Sequence, residues 1–418
     1  MEVITIGDEL LLGFTVDTNV AYISRTLAEH GIEVARRATV GDDADQIASA
    51  VQSALDRTGA VITTGGLGPT SDDLTKPAIA RLFKRDMCLD EAIAKDLEIR
   101  WRARFPLSGY PASNRAQAEI PSGARVLTNR HGSAPGIWLE DERGRWVAML
   151  PGVPREMRGM LHDELLPLLP IRATGERDNA IVSATLRTTG IAESAIADLL
   201  GNSFPTGAGL DALPLAFLPG VTGVDLRVTA RGLPRTRGEQ LVKKAIAKLR
   251  ERIGAHAYGE DDADLAAIVL DKCRTLGLTL GVAESCTGGM LGERITAVPG
   301  SSDVFRGGVI AYHNDVKRDA LGVRQEDLDA HGAVSEAVAR QMASGVRDRT
   351  GADIGISITG IAGPGGGTPE KPVGLVWIGV HGSQQTARRI HTAGDRGEIR
   401  QRAVQAALDT VRRTLETG

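Results

Sequence analysis

The sequence predicts an α/β protein, with two three-layer α/β domains joined by a small α+β module. Three observations lead to this fold class. Apolar strand-like segments alternate with helix patterns over residues 1–170, and the alternation returns from Asp261 onward. The stretch between them has the order β-α-β-β-α. Glycine-rich loops follow several strand-like segments, as is common where the strands of an α/β sheet lead into helices.

The first domain is predicted to contain a mainly parallel sheet covered by helices. Its strand-like segments are Val3–Ile6, Ala60–Thr64 and Trp146–Leu150, and its helix patterns are Val20–His30 and Ala44–Arg57. Pro167 and Pro170 then close a leucine-rich helix, which places a boundary near Ile171. We therefore assign residues 1–171 to this domain.

The small module is predicted over residues 172–257. Its elements are the strand Ala180–Arg187, the helix Glu193–Leu200, the strands Leu215–Leu218 and Val224–Ala230, and the helix Thr236–Arg252. Six basic side chains lie on the last helix: Arg237, Lys243, Lys244, Lys248, Arg250 and Arg252. Such a helix could contact RNA, but it lacks interleaved aromatic residues, so a solvated outer face is the favoured interpretation.

The third domain is predicted over residues 258–418. Its elements are a helix at Ala263–Leu276, a strand at Leu278–Ala283, a helix from about Gly288, strands at Val309–Tyr312, Ile354–Thr359 and Leu375–Val380, and a helix at Glu398–Leu415. Two α/β domains and a linking module thus account for the whole chain.

The composition restricts the class of protein. Of 418 residues, 42% are apolar and 50 are glycine, without the three-residue glycine period of collagen. The 49 basic and 53 acidic residues leave a net charge of −4, so no broad attraction to nucleic acid or to an anionic membrane is expected. The small number of cysteines, three, fits a reducing compartment. Asp8 and Glu9 come too early for a secretory leader. No apolar run approaches the ~20 residues that a membrane-spanning helix needs. We expect a cytoplasmic enzyme.

A candidate nucleophile lies in the third domain, where Ala283–Gly289 reads AESCTGG at a predicted strand-to-helix turn. Ser285 precedes the N–H groups of Thr287, Gly288 and Gly289, which could stabilise an oxyanion at the start of the helix. The same serine could instead only cap the helix.

A serine nucleophile needs a base, and two candidates follow the next strand. Tyr312 and Lys317 lie there, and a lysine whose pKa is lowered by burial can accept a proton. The spacing differs from the Tyr-x-x-x-Lys of short-chain dehydrogenases, and no G-x-G-x-x-G opens the chain, so we reject a dehydrogenase. Cys286 is a rival nucleophile, although a small buried cysteine is more often inert.

A second glycine cluster, TGIAGPGGGT at Thr359–Thr368, follows the strand Ile354–Thr359. Such a loop allows backbone to approach a phosphate closely, which makes Thr359, Gly360 and Gly363 candidates for substrate binding. A flexible surface linker is the alternative. Arg396, at the start of the last helix, could hold a phosphate or pair with an acidic neighbour on the surface.

The first domain carries its own glycine loop, TGGLGPTSDDLT at Thr64–Thr75. Gly65, Gly66 and Gly68 would expose backbone amides suited to a phosphate. Asp72 and Asp73 follow, and they could cap the next helix or bind a divalent cation that bridges to a pyrophosphate. The spacing alone favours caps.

The C-terminal motifs together resemble the CinA family. They are AESCTGG, GGVIAYHNDVK, HGAVSE, SITGIAGPGGG and KPVG, in that order over about 160 residues. The resemblance implies a nicotinamide mononucleotide amidohydrolase without a cofactor, in which Ser285 is the nucleophile and Tyr312 and Lys317 activate it. The products would be nicotinate mononucleotide and ammonia.

The N-terminal motifs resemble the first half of full-length CinA proteins, which is similar to molybdopterin-binding domains of the MoaB and MogA type. They are GDEL, DTN, GGLGPTSDD, NRAQ from Asn114, SAPG and LPGVP, and the middle module is KH-like. The resemblance implies either binding of a pterin-like phosphorylated ligand or cleavage of ADP-ribose to AMP and ribose 5-phosphate. Cleavage would use Mg²⁺, Mn²⁺ or Co²⁺ at Asp72 and Asp73. An accessory role in competence or DNA damage is a further alternative, and a homodimer is expected.

Overall fold

The computed structural model describes residues 1–169, 179–201 and 213–417. The chain divides into two compact units, Met1–Val182 with Ala230–Glu239, and Ser183–Thr229 with Gln240–Gly418. The domain boundaries proposed from the sequence stay predictions.

The N-terminal unit is built on a six-stranded sheet. The strands in chain order are β1 (Glu2–Ile6), β2 (Arg36–Val40), β3 (Ala60–Thr64), β4 (Met87–Leu89), β5 (Glu119–Pro121), β6 (Arg125–Leu127), β7 (Gly136–Glu140) and β8 (Trp146–Leu150). The sheet order is β2-β1-β3-β8-β7-β6, with parallel pairs from β2 to β8 and antiparallel pairs beyond, while β4 and β5 form a separate ladder. The mainly parallel sheet predicted from the sequence is therefore confirmed.

Helices cover both faces of that sheet. They are α1 (Asp8–Leu11), α2 (Thr18–Glu29), α3 (Ala44–Thr58), α4 (Thr75–Leu82), α5 (Glu91–Arg104) and α6 (Pro154–Met160), with a 3-10 helix at Ala112–Ala118, a π-helical turn at Leu161–Leu165 and a 3-10 turn at Leu166–Leu168. Alternate residues of the central strands enter two separate cores: Val3 and Ile62 pack with α2 and α6, and Ile4 packs with α3 and α4. Burial on both faces is what gives parallel strands their continuous apolar runs, and it produces the three layers.

The middle module contains β9 (Asn179–Thr188), α7 (Glu193–Leu200), β10 (Leu215–Pro219), β11 (Val224–Pro234), α8 (Arg235–Ile253), a 3-10 turn (Gly254–His256) and β12 (Ala257–Glu260). The sheet order is β10-β11-β9-β12. The predicted β-α-β-β-α order is confirmed, and β12 is an additional edge strand. Val242, Ile246 and Leu249 form the buried face of α8, while its basic side chains are exposed.

The C-terminal sheet has the order β14-β13-β15-β16-β17. Its strands are β13 (Leu280–Glu284), β14 (Phe305–Ile310), β15 (Ile354–Gly360), β16 (Leu375–His381) and β17 (Gln385–His391). The first three are mutually parallel, and β16 and β17 are antiparallel additions. The helices are α9 (Leu265–Leu276), α10 (Met290–Thr296), α11 (Asn314–Leu321), α12 (Gln325–His331), α13 (Glu336–Thr350) and α14 (Arg396–Thr417), with a 3-10 turn at Ser301–Asp303.

One predicted strand of this domain is wrong in its bounds. The sequence predicted Val309–Tyr312, but β14 is Phe305–Ile310, so Tyr312 lies beyond the strand. Gly307 and Gly308 weaken the strand pattern at the start of β14 in the sequence, because glycine is unfavourable in strands. The structure requires a small residue at Gly308, since a Cβ atom there would lie 2.5 Å from Val282 Cγ2.

Candidate active sites

The predicted C-terminal site lies where β13, β14 and β15 end. These strands are parallel, so their carboxyl ends share one edge of the sheet, which is where α/β proteins commonly bind ligands. Ser285 N donates to Ile358 O at 2.9 Å, and Ala311 N donates to Glu284 O at 2.7 Å. These two bonds hold the loop of Ser285 between the ends of the neighbouring strands.

The buried carboxylate of Glu284 organises the turn after β13. It accepts hydrogen bonds from the N–H groups of Gly289 at 3.0 Å, Leu291 at 3.0 Å and Gly292 at 2.8 Å. A carboxylate in this position satisfies donors that a helix start otherwise leaves unpaired. Ser285 is therefore not the cap of α10, and the N–H of Gly289 is occupied rather than free for an oxyanion.

The amides that are free lie earlier in the turn. Gly288 N donates to Ser285 O at 3.1 Å, whereas the N–H groups of Cys286 and Thr287 donate to no other residue among those described, and the Cys286 N–H faces only its own thiol. The Thr287 hydroxyl is also buried without a partner there. Two amides beside a serine that donate to no other residue are the usual form of an oxyanion hole.

Arg396, at the start of α14, connects Tyr312 to the second glycine loop. Its Nη2 donates to Tyr312 Oη at 2.9 Å, and its Nη1 donates to Gly363 O at 2.6 Å. One turn later, Arg400 Nη2 donates to Thr287 O at 2.6 Å. The first turns of α14 thus link the loops that follow β13, β14 and β15.

Lys317 is a buried amine at the same edge, 1% exposed. Its Nζ donates to Ala311 O at 2.8 Å and Tyr312 O at 3.3 Å. Burial lowers the pKa of Lys317, and the nearby Cys286 opposes this shift. No hydrogen bond joins Nζ to the Ser285 hydroxyl among the described contacts.

Burial has the opposite consequence for the rival nucleophile. It raises the pKa of the Cys286 thiol to about 11, so the thiol is protonated at neutral pH. Cys286 also belongs to the hydrophobic core beneath the sheet. These observations favour Ser285 over Cys286.

Two of the predicted substrate-binding residues, Thr359 and Gly360, make contacts within the fold. The buried Thr359 hydroxyl donates to Ala333 O at 2.7 Å. At Gly360, a Cβ atom would lie 2.6 Å from Val376 Cγ2 and 2.8 Å from Leu375 O, so that glycine permits the close packing of β15 on β16. The structure places Gly363, but not the Thr359 hydroxyl, beside Arg396.

The N-terminal glycine loop is a tight backbone crossing. Gly65 has φ of 115°, and a Cβ atom there would lie 2.2 Å from Ile6 O. Gly66 has φ of 65°, and a Cβ atom there would lie 2.2 Å from Thr75 Oγ1, which itself donates to Gly65 O. Only glycine fits these two positions without strain.

The two acidic residues of the loop differ in their roles. Asp73 accepts from Gly68 N at 2.7 Å, from Thr70 N at 2.8 Å and from Thr70 Oγ1 at 2.6 Å, so both of its oxygens stabilise the loop. Asp72 is exposed, and the nearby polar side chain of Thr70 lowers its pKa. Within the described residues no group of three or more His, Cys, Asp or Glu side chains could hold a metal ion. The residues present do not form a ready-made cation site, and the metal stays a prediction.

A cavity of about 520 Å³ joins the N-terminal motifs. It is lined by Pro69 from the glycine loop, Asn114 and Gln117 from NRAQ, and Ser133 from SAPG. Three separate sequence motifs therefore meet at one concave surface of the size that small-molecule sites usually have.

The rest of that cavity was missed in the sequence. Its aromatic wall is formed by Trp101, Phe105 and Tyr110, with ring centroids 4.6 Å apart for Trp101–Phe105 and 6.4 Å apart for Trp101–Tyr110. The Tyr110 hydroxyl is buried without a partner in the described chain. The arginines of the cavity are Arg100, Arg104, Arg130 and Arg155. The clustering of aromatic and basic residues on α5 was the one available signal in the sequence.

Comparison with known protein families assigns all three parts of the chain. The probable molybdopterin binding domain matches residues 2–171, the damage-inducible protein CinA KH domain matches residues 183–259, and the CinA C-terminal domain matches residues 262–415. A CinA-like protein of Gemmatimonas aurantiaca is 60% identical, with 99% of this chain and 96% of that protein covered. The chain belongs to the CinA family.

A second relative agrees with this assignment. A putative competence-damage inducible protein of Clostridium kluyveri is 39% identical, with 99% of both chains covered. The solved structure of competence/damage inducible protein CihA from Agrobacterium tumefaciens is 41% identical over 37% of this chain and 94% of that chain, with a TM-score of 0.35. In the part of this CinA-family chain that the structure describes, no helix combines the length and apolar character needed to cross a bilayer.

Proposed function

We propose that the C-terminal site hydrolyses the carboxamide of nicotinamide mononucleotide to nicotinate mononucleotide and ammonia. The observation that carries this proposal is the connection made by α14, whose arginines contact the Ser285 loop, Tyr312 and the glycine loop. A nucleophile, a buried amine, free amides and a guanidinium therefore share one edge of the sheet. These groups are what an acyl transfer on an anionic amide substrate requires.

In the proposed reaction, the Ser285 Oγ attacks the amide carbon and its proton passes to Lys317. A neutral lysine amine has two N–H groups, and the two carbonyls of Ala311 and Tyr312 accept both, which leaves the lone pair available. The oxyanion forms beside the N–H groups of Cys286 and Thr287. Lys317 returns the proton to the departing nitrogen, ammonia leaves, and water hydrolyses the acyl-enzyme.

Arg396 would bind the phosphate of the mononucleotide. It is held by Tyr312 Oη and Gly363 O, both neutral acceptors, so its positive charge is not cancelled by a carboxylate in these contacts. A planar guanidinium suits a phosphate because it can donate two parallel hydrogen bonds. Tyr312 is then a residue that positions Arg396 through its hydroxyl.

The test compares Ser285→Ala with Cys286→Ala in the full-length chain. We expect Ser285→Ala to lose ammonia release from nicotinamide mononucleotide and Cys286→Ala to retain it, with unchanged circular dichroism for both. Removal of a nucleophile costs a factor of about 10⁴ or more in rate. Retained turnover in Ser285→Ala, with loss in Cys286→Ala, would assign the chemistry to the thiol instead.

For the N-terminal domain, the cavity with its aromatic wall supports a phosphorylated nucleotide-like ligand as a second proposal. An adenine ring can stack on the aromatic wall, and the arginines can pair with a pyrophosphate. Metal-dependent cleavage of ADP-ribose in this cavity is the catalytic version of the proposal, and binding of a pterin phosphate without turnover is the alternative. Because Asp73 is occupied by its own loop, Asp72 is the better candidate for contact with a cation.

Calorimetry with ADP-ribose and with a pterin phosphate tests the binding. We expect Trp101→Leu to weaken the binding of ADP-ribose by about tenfold, the usual effect of one lost stacking contact. Leu107→Ala is the matched control, since Leu107 is fully exposed nearby in the sequence. AMP formation with Mg²⁺, Mn²⁺ or Co²⁺ then tests turnover, and a chain that binds the pterin phosphate but makes no AMP supports the binding function.

A further inference from the structure

A cavity of about 540 Å³ lies in the C-terminal unit and includes none of the site residues predicted from the sequence. One wall is formed by the loop 189–192 and the hairpin turn 220–224 of the middle module. The opposite wall is formed by the end of β17 and the side chains of α14. The cavity has the size of a small-molecule site, and most of its lining is apolar or backbone.

The charged groups of this cavity leave positive charge available. Asp409, 1% exposed, already pairs with Arg412 Nη2 at 2.7 Å and with Arg413 Nε at 2.8 Å. Arg388 contacts the same carboxylate only at 3.5 Å, through Nη1. Arg402 also lines the cavity and donates its Nε to Val221 O. The guanidinium of Arg388 therefore retains donors that the described residues do not use.

The buried amide of Gln405 is an independent indication that the cavity binds a molecule with a hydrogen-bond acceptor. Its side chain lines the cavity and is 3% exposed, yet its Nε2 has no acceptor among the described residues. A buried amide without a partner is unfavourable and rare in native proteins. An acceptor supplied by a bound molecule would correct this imbalance.

We propose that this cavity is a binding site for a small phosphate-bearing molecule. Its phosphate would accept hydrogen bonds from Arg388 and from the amide of Gln405, and its uncharged part would pack against the apolar lining. An anion is favoured over a cation because Asp409, the only carboxylate among the described lining residues, is already neutralised. Phosphate suits the forked donors of a guanidinium.

The experiment measures binding of ribose 5-phosphate to the full-length protein by calorimetry, with ribose as the uncharged control. Arg388→Gln is compared with Arg389→Gln, its neighbour on β17, which lines a different cavity. Any binding at the two proposed catalytic sites is common to both variants. We expect Arg389→Gln to match the wild type and Arg388→Gln to bind at least about tenfold more weakly, as for one lost charge-assisted contact.

Gln405→Leu provides a second variant whose effect a folding defect cannot imitate. We expect it to weaken binding of ribose 5-phosphate while the melting temperature of the free protein stays equal or rises, because an unpartnered polar group is removed. Equal affinity in Arg388→Gln and the wild type would overturn the proposal. So would ribose binding as tightly as ribose 5-phosphate, or no binding of ribose 5-phosphate to the wild type.

Discussion

The substitution Glu284→Gln tests the role assigned to the buried carboxylate after β13. A glutamine keeps the shape of the side chain but replaces one acceptor oxygen with an NH₂ group. Glu284 Oε2 accepts from Gly289 and Leu291, and Oε1 accepts from Gly292. The amide would therefore direct its NH₂ toward Gly292, where only one hydrogen bond is lost.

The size of the effect follows from these contacts. Hydrogen bonds to a charged group contribute about 1.5–3 kcal/mol each and neutral ones about 1 kcal/mol. Losing one bond and weakening two others gives a destabilisation of about 3–5 kcal/mol, including the lost interaction of the charge with the start of α10. The matched control is Glu293→Gln, because Glu293 is exposed in the first turn of the same helix and should change stability by less than about 0.5 kcal/mol.

The assay is hydrogen exchange followed by mass spectrometry on peptides that cover residues 285–296, in urea at neutral pH. This measurement reports the C-terminal unit separately, which an unfolding curve of the whole chain does not. We expect Glu284→Gln to lose protection in this segment while Glu293→Gln keeps it. If the two variants have the same protection to within about 0.5 kcal/mol, Glu284 does not organise the turn as argued.

Two further predictions concern buried lysines. The rate of nicotinamide mononucleotide deamidation should rise with pH as Lys317 loses its proton. The midpoint of this rise should lie below the ordinary lysine pKa of 10.5, because burial lowers the pKa of Lys317. Lys317→Arg should abolish the rise and reduce the rate by a factor of about 10²–10⁴. Burial lowers the pKa of Lys76 to about 8, so the native N-terminal unit binds fewer protons than its unfolded state between pH 8 and 10.5, and its stability should increase across that window. The increase in the free energy of unfolding is about 3 kcal/mol. It should disappear in Lys76→Met but persist in Lys84→Met, whose side chain is exposed. Hydrogen exchange at matched pH measures it, and an unchanged dependence of stability on pH in Lys76→Met would contradict the prediction.

Much of the architecture could be predicted because its signals are local. The bounds of Ala60–Thr64, Trp146–Leu150 and Glu193–Leu200 agree with the structure, since apolar runs and helical periodicity depend on residues a few positions apart. The strands β2 and β17 were missed because both are edge strands with exposed polar side chains, which weakens the alternation of apolar and polar residues.

The aromatic wall of the N-terminal cavity could not be predicted from the sequence, for a different reason. Trp101 lies on α5 and Phe105 directly follows its last residue. This helix buries only Leu97 and therefore has little apolar periodicity to mark its orientation. The motif residue Asn114 was found because it belongs to a recognisable run, whereas the aromatic residues belong to none. Their proximity to Asn114 depends on how the helix packs over the loop.

The α/β class, the CinA family, and the region of the chain in which Ser285, Tyr312 and Lys317 lie can all be read from the amino-acid sequence. How the donors of that region are used depends on the packed fold: Glu284 accepts from the amide of Gly289, and Arg396 donates to Tyr312. Motifs and periodicities are properties of neighbouring residues, whereas a hydrogen bond between residues 84 positions apart, as for Arg396 and Tyr312, exists only once the sheet and its covering helix have packed.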